Sequence, residues 1–255
     1  MNPVSSLQHY AALSIFPEMF DGFWSTGMVR RAIMGGFITG RAVDLRAFAE
    51  GVHKVTDDKP YGGGCGMVMK PEPLMKGIAH LRAEMPGVPV LAMTPQGQPF
   101  TQSLAEDLAR EKGMIMVCGR YEGMDERACI KADMELSIGD YVLTGGELAA
   151  MVVMDAVIRL IPGVLGGEES AEKESFSEGL IEYAHYTRPP VYEGMAVPDV
   201  LLSGNHKAIA SWRLETSLKR TFLKRPDLLE DRSFSREERS ILQKWSREIA
   251  RLADN

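Results

Sequence analysis

Apolar runs of strand length alternate with helix-periodic stretches through the first 165 residues of this chain. No other feature constrains the fold as much. Parallel strands need a crossover connection, and the crossover is usually a helix, so this alternation implies a parallel or mostly parallel α/β sheet. Tyr10–Phe16, Phe37–Leu45, Val88–Met93, Met114–Cys118 and Glu135–Ile138 read as strands. Met19–Met34, Pro73–Ala83 and Gly146–Leu160 have helical patterns, the last ended by Pro162 and Gly163. Ser103 and Glu106 make a capping-box pair for a further helix, with Gly113 at its end. Met114–Cys118 is apolar throughout, as a strand buried on both faces would be.

The composition changes at Gly166. Gly166–Glu182 is rich in Glu, Ser and Gly and holds few apolar residues, so it reads as a linker, partly disordered when nothing is bound. Beyond it Asn205–Arg220 and Ser235–Leu252 are helical in pattern, with Arg225-Pro226 between them. The expected organisation is a large domain over 1–165, a flexible linker over 166–187 and a small α-helical domain over 188–255.

Charge follows the same division. The chain carries a formal −6. From Arg188 onward there are 13 Lys/Arg against 10 Asp/Glu, which leaves 16 against 25 before it. A basic tail on an acidic body keeps nucleic acid open as a partner despite the net charge. Three cysteines at these spacings fit no zinc pattern, and no metal is expected. The N-terminus lacks a basic region followed by an apolar run, and Leu148–Ile161 is too short to span a bilayer. A soluble, cytoplasmic protein with no membrane partner is expected.

Common nucleotide motifs are missing. There is no phosphate-binding G-x-x-x-x-G-K-[ST] loop, and in YGGGCGM Met67 stands where the third glycine of G-x-G-x-x-G belongs. Four loops nonetheless combine glycine with polar or aromatic residues: Tyr61–Met67, Met93–Phe100, Cys118–Arg127 and Ser137–Glu147. Three of them follow strand-length runs. Ligands of α/β sheets bind beyond the carboxyl ends of the strands, and glycine there lets backbone approach closely.

The segments GRYEG (119–123), SIGDYVLTGGE (137–147), RLIPGVLG (159–166), HYTRP (185–189) and VPDVLLSGNH (197–206) resemble the bacterial tRNA (guanine-N(1))-methyltransferases of the knotted SPOUT superfamily. The resemblance runs in consistent order from about Leu13 to Trp212. It implies an α/β fold with a mostly parallel sheet, a deep trefoil knot at the C-terminal end of the first domain, and a small helical C-terminal domain that binds tRNA. It implies S-adenosylmethionine as methyl donor. Transfer would be to N(1) of the guanine at position 37 in the anticodon stem-loop. Cofactor residues carried over are Pro95, Gly119, Glu122, Ile138, Gly139, Asp140, Tyr141, Val142, Leu143, Gly145 and Gly146. The tRNA-facing residues are His185, Arg188, Arg213, Lys219 and Arg220. A homodimer is implied, each site built from the knot of one chain and the C-terminal domain of the other.

Guanine N(1) carries a proton, so its methylation needs a base, and negative charge builds on O(6) as that proton leaves. The resemblance assigns the stabilising cation to Arg159. The family's base is an aspartate in a D-S-F pattern; here Glu174 stands in its place, in EKESF. Cys65 likewise replaces the proline of the family's usual GGGPGM loop, which loosens the backbone there. Two other readings stay open: a related ribose 2′-O-methyltransferase, which would share the knot but not need the EKESF carboxylate or the YGGGCGM loop, and a non-catalytic RNA-binding relative.

Overall fold

The computed structural model describes residues 7–165, 175–176, 179–230 and 232–253. The chain divides into two compact units, Met1–Glu168 and Glu169–Asn255. In the first, β1 (Gln8–Ser14) leads through a tight turn of helix at Pro17–Phe20 into α1 (Asp21–Ser25), α2 (Gly27–Met34) and β2 (Ile38–Asp44). A short hairpin of β3 (Asp57–Asp58) and β4 (Val68–Met69) precedes α3 (Pro71–Glu84), β5 (Val90–Pro99), α4 (Gln102–Leu108) and β6 (Gly113–Cys118). The unit closes with α5 (Glu126–Cys129), β7 (Met134–Ser137) and α6 (Glu147–Ile158).

Among the described residues the main sheet has the order β2-β1-β6-β5-β7. Each neighbouring pair runs parallel. Alternation along the strands sends Tyr10, Ala12, Met114 and Met116 to one face, where Ala150, Val153, Met154 and Val157 of α6 cover them. It sends Ala11, Leu13, Ile115 and Val117 to the other, against Leu74, Ile78 and Leu81 of α3. β6 is buried along its whole length, as its unbroken apolar run predicted. Each fully buried Leu, Ile, Val or Met side chain contributes about 1.5–3 kcal/mol, so this two-faced core dominates the unit's stability.

Several local expectations are corrected. The helix expected over Met19–Met34 is broken, because Thr26 is extended and Gly27 has φ +59°. The cap of α4 is Thr101, whose hydroxyl accepts from the Leu104 N–H at 3.3 Å; Ser103 lies inside the helix. Gly113 begins β6 and does not close a helix: a Cβ there would lie 1.8 Å from the His9 carbonyl oxygen. β5 continues to Pro99, past the expected end at Met93, because the strand bulges between Met93 and Gln98 and then pairs with β7 again.

The second unit holds a hairpin of β8 (Val191–Tyr192) and β9 (Met195–Ala196), then α7 (Asp199–Leu202), α8 (His206–Lys224), α9 (Asp227–Glu230) and α10 (Arg236–Ala253). Asn205 caps α8, accepting from the Ala208 N–H at 3.1 Å. A capping box that the sequence reading missed starts α10: Ser235 N–H donates to Glu238 Oε2 at 2.6 Å, and Glu238 N–H to Ser235 Oγ at 3.2 Å. The acidic linker expected over Gly166–Glu182 lies largely outside the described residues, and Glu174 with it.

Candidate active site

β5 lies between β6 and β7, and the glycine-bearing loops stand at the bulge of β5 and at the carboxyl ends of β6 and β7. Those loops enclose a cavity of about 390 Å³. Met93, Leu136, Ile138, Leu143 and Ala149 give it apolar walls, while Thr94–Gln96, the backbone of 119–123 and Gly139 bring polar groups. Of the cofactor residues implied by resemblance, Pro95, Gly119, Glu122, Ile138, Gly139, Tyr141, Val142, Leu143, Gly145 and Gly146 line this cavity. Asp140 does not; its side chain is exposed in the same loop.

Two of the loops are fastened together. Gly146 N–H donates to the Gly119 carbonyl at 2.8 Å, and Arg120 and Gly145 form an antiparallel bridge. Glycine is required here by crowding. A Cβ on Gly146 would lie 2.9 Å from Gly119 N and 3.0 Å from Cys118 Cα. Gly139 has φ +146°, and its N–H donates to Ser137 Oγ at 3.2 Å. Tyr121 is held at φ +61°, an uncommon conformation for a bulky residue and one that collects at functional sites. Its phenol is raised in pKa by burial and by the neighbouring Asp57 carboxylate. On the far wall Glu122 N–H donates to the Met67 carbonyl at 3.0 Å, which ties the YGGGCGM loop to GRYEG.

Sequence reasoning missed the most connected side chains of this wall. Arg120 lines the cavity and donates from Nε to Glu147 Oε2 at 2.8 Å and from Nη1 to the Thr144 carbonyl at 3.2 Å. Glu147 is fully buried and also accepts from Ser14 Oγ at 2.6 Å. Arg120 and Glu147 sit inside the quoted motifs, so the signal was present; nothing near Ser14 announced it. Cys129 also lines the cavity, and burial pushes its thiol up to about 11, so it is no nucleophile near neutral pH. Among the described residues no group of three or more His, Cys, Asp or Glu is placed to hold a metal ion.

Arg159 lies elsewhere. It is half-buried at the C-terminal cap of α6, whose third residue, Ala149, lines the cavity. Counted along the helix axis from Ala149, it is about 15 Å away at roughly 1.5 Å per residue. In the second unit the His185 ring is 2.9 Å from the Glu182 carboxylate, and the Arg213 guanidinium lies 4.7 Å over the Tyr183 ring. Arg188 and Lys219 are exposed. Arg220 is half-buried, its Nε without a partner among the described residues. Arg225, part of the same basic stretch, is paired with Asp227 at 2.7 Å. No described helix is long and apolar enough to cross a membrane.

Comparison with known proteins bears on this geometry. Residues 9–231 match the family described as tRNA (Guanine-1)-methyltransferase TrmD. A protein of Desulfatibacillum aliphaticivorans named tRNA (guanine-N(1)-)-methyltransferase is 55% identical over 243 residues, covering 95% of this chain and 93% of its own. Proteins of the same name from Syntrophotalea carbinolica and Geobacillus kaustophilus are 54% and 50% identical. They cover 96% and 92% of this chain, and 98% and 97% of their own. Matched across most of its length by both the family and its relatives, this chain belongs to the tRNA (Guanine-1)-methyltransferase TrmD family.

Proposed function

We propose that this protein transfers a methyl group from S-adenosylmethionine to N(1) of guanine in tRNA, at position 37, on the 3′ side of the anticodon. The cavity beside β5, β6 and β7 carries the reading, in a chain whose relatives are named tRNA (guanine-N(1)-)-methyltransferase. Its size fits: about 390 Å³ lies within the roughly 300–1,000 Å³ of small-molecule sites. Its chemistry fits too, since adenosine wants an apolar slot with a few directed hydrogen bonds. Leu136, Ile138 and Leu143 supply the slot, and the absence of side chains at Gly119 and Gly139 lets a ligand come close to the backbone there. Pro95 would border the adenosine, and Glu122 would meet the donor's ammonium group. When bound, the donor supplies a methyl group on a positively charged sulfur.

The chain's own residues then have two tasks at the guanine. Glu174 accepts the N(1) proton as general base, the longer side chain reaching where the family has aspartate. Arg159 stabilises the negative charge left on O(6). Its distance from the cavity of its own chain argues that it serves the partner's site. A homodimer supplies that arrangement, and Leu148 and Val152 favour it: they stand one turn apart on α6, apolar and about half exposed. The stretch from Cys118 to Gly146 is threaded as the family's trefoil knot in this proposal; the tie between Gly119 and Gly146 is consistent with it. The second unit binds the anticodon stem-loop through Arg188, Arg213, Lys219 and Arg220, with His185 near the flipped base. With tRNA as substrate, the protein works in the cytoplasm.

The test is incubation with methyl-labelled donor and total tRNA, followed by mass spectrometry of the digested RNA. Label on N(1) of guanine 37 is expected. Label on a ribose, or none, overturns the proposal. The variant Glu174→Ala should lose turnover by roughly 10²–10⁴-fold while binding donor and tRNA normally.

A further inference from the structure

Glu147 is a carboxylate with no exposure to solvent, at the first position of α6. Both its oxygens are engaged, Oε1 by Ser14 Oγ at 2.6 Å and Oε2 by Arg120 Nε at 2.8 Å. Ser14 closes β1, a strand that contributes nothing to the cavity wall; its hydroxyl is fixed in turn by the Phe16 N–H at 2.8 Å. Arg120 belongs to the loop after β6, and its guanidinium lies 4.7 Å over the Phe16 ring. The same guanidinium holds the Thr144 carbonyl in the loop after β7. The end of β1 and the loops after β6 and β7 thus meet on one buried ion pair.

Stability alone explains this poorly. Removing a carboxylate and a guanidinium from water is costly, and well-packed apolar side chains of the same volume are often as stable or more so. What an ion pair adds is direction. Two oxygens and a planar fork fix the angle between the loops in a way apolar packing would not.

We infer that Ser14, Glu147 and Arg120 are positioning residues for the methyl-donor cavity, setting the spacing of the 119–123 and 144–146 loops from the end of β1. The inference rests on the reading of that cavity as the donor site. It has a corollary. Among the described residues Arg120 is the one arginine lining the cavity, yet its charge is paired with Glu147, so it does not serve as counter-ion to the donor's carboxylate or to an RNA phosphate.

The experiment compares wild type, Ser14→Ala and Glu147→Gln. Donor affinity is measured by calorimetry, tRNA affinity without donor by filter binding, and loop opening by hydrogen exchange in the absence of any ligand. Ser14→Ala should weaken donor binding about tenfold, the loss of one hydrogen bond to a charged group. It should speed amide exchange across 119–123 and 144–146 while leaving β1, β5 and β6 protected, with tRNA affinity unchanged. Glu147→Gln should weaken donor binding more. If that variant fails to fold, Ser14→Ala still decides, since removing one hydroxyl preserves the ion pair. A Ser14→Ala protein that melts earlier but keeps wild-type donor affinity and loop exchange overturns the inference. Wild-type protein that does not bind the donor defeats the methyl-transfer reading instead, and the exchange comparison still reports on the loops.

Discussion

Gly146 has the backbone of the 118–119 segment packed against the space where a side chain would begin. Neither Gly119 N nor Cys118 Cα can swing aside as the tip of a flexible side chain would. Gly146→Ala should therefore push the two loops apart and cut donor affinity more than about tenfold, a cost of at least ~1.4 kcal/mol, with tRNA binding retained; calorimetry on the purified variant checks it. The thiols give a second prediction. Cys65 is exposed, whereas Cys118 and Cys129 are buried and burial holds both protonated at neutral pH. Native protein at pH 8 should present one fast thiol to an aromatic disulfide reagent and three after unfolding; two fast thiols in the native state would contradict the burial. Single residues were unevenly legible in the sequence. Glycines that line the cavity could be named because their motifs are specific enough to carry a family resemblance, and the resemblance assigns them. Ser14 could not, because it meets Glu147 across 133 positions of chain, and that meeting is a property of the sheet order.

At the scale of elements, periodicity located the helices and strands, and local capping chemistry decided where they begin. The helix expected from Met19 was misjudged because a period of 3.6 cannot register a single residue at positive φ. At α4 the sequence offered two plausible hydroxyls two residues apart, and only the first, Thr101, is free of the helix to cap it. The start of α10 illustrates what such a cap contributes. Burial alone would raise the pKa of Glu238, but hydrogen bonds from Arg232 and from Ser235 outweigh it and hold the carboxyl below its usual 4.5. A carboxyl depressed in the folded state stabilises it above its unfolded pKa, and that contribution is lost as pH falls through the lower, folded value. Unfolding midpoints measured from pH 7 downward should therefore fall more steeply below about 4.5 for wild type than for Glu238→Gln; parallel curves would mean the carboxylate contributes nothing.

For the whole molecule, net charge is a poor guide to partners. The chain is acidic, yet several cations of its second unit are spent internally: Arg225 on Asp227, Arg232 on Glu238. Lys219 is exposed and has no ion pair among the described residues. Binding of tRNA should weaken steeply with salt, and Lys219→Ala should lower the slope of log K against log salt by about one while leaving donor affinity alone. An unchanged slope would remove Lys219 from the RNA surface. The alternation of strands and helices made a parallel sheet foreseeable; the strand order was not, because sequence proximity does not say which neighbours a strand will have. That order carries a consequence for synthesis. β1 is an interior strand, flanked on one side by β2 and on the other by β6, with His9 opposite Gly113. While the chain is being made, the first strand to leave the ribosome must stand with one edge bare until β6 emerges, a delay of about 5–20 s at translation rates of roughly 5–20 residues per second. An apolar strand with an open edge recruits other chains. Nascent copies of this protein are thus natural clients for a ribosome-associated chaperone, and crowding them on one messenger should favour aggregation over the finished enzyme.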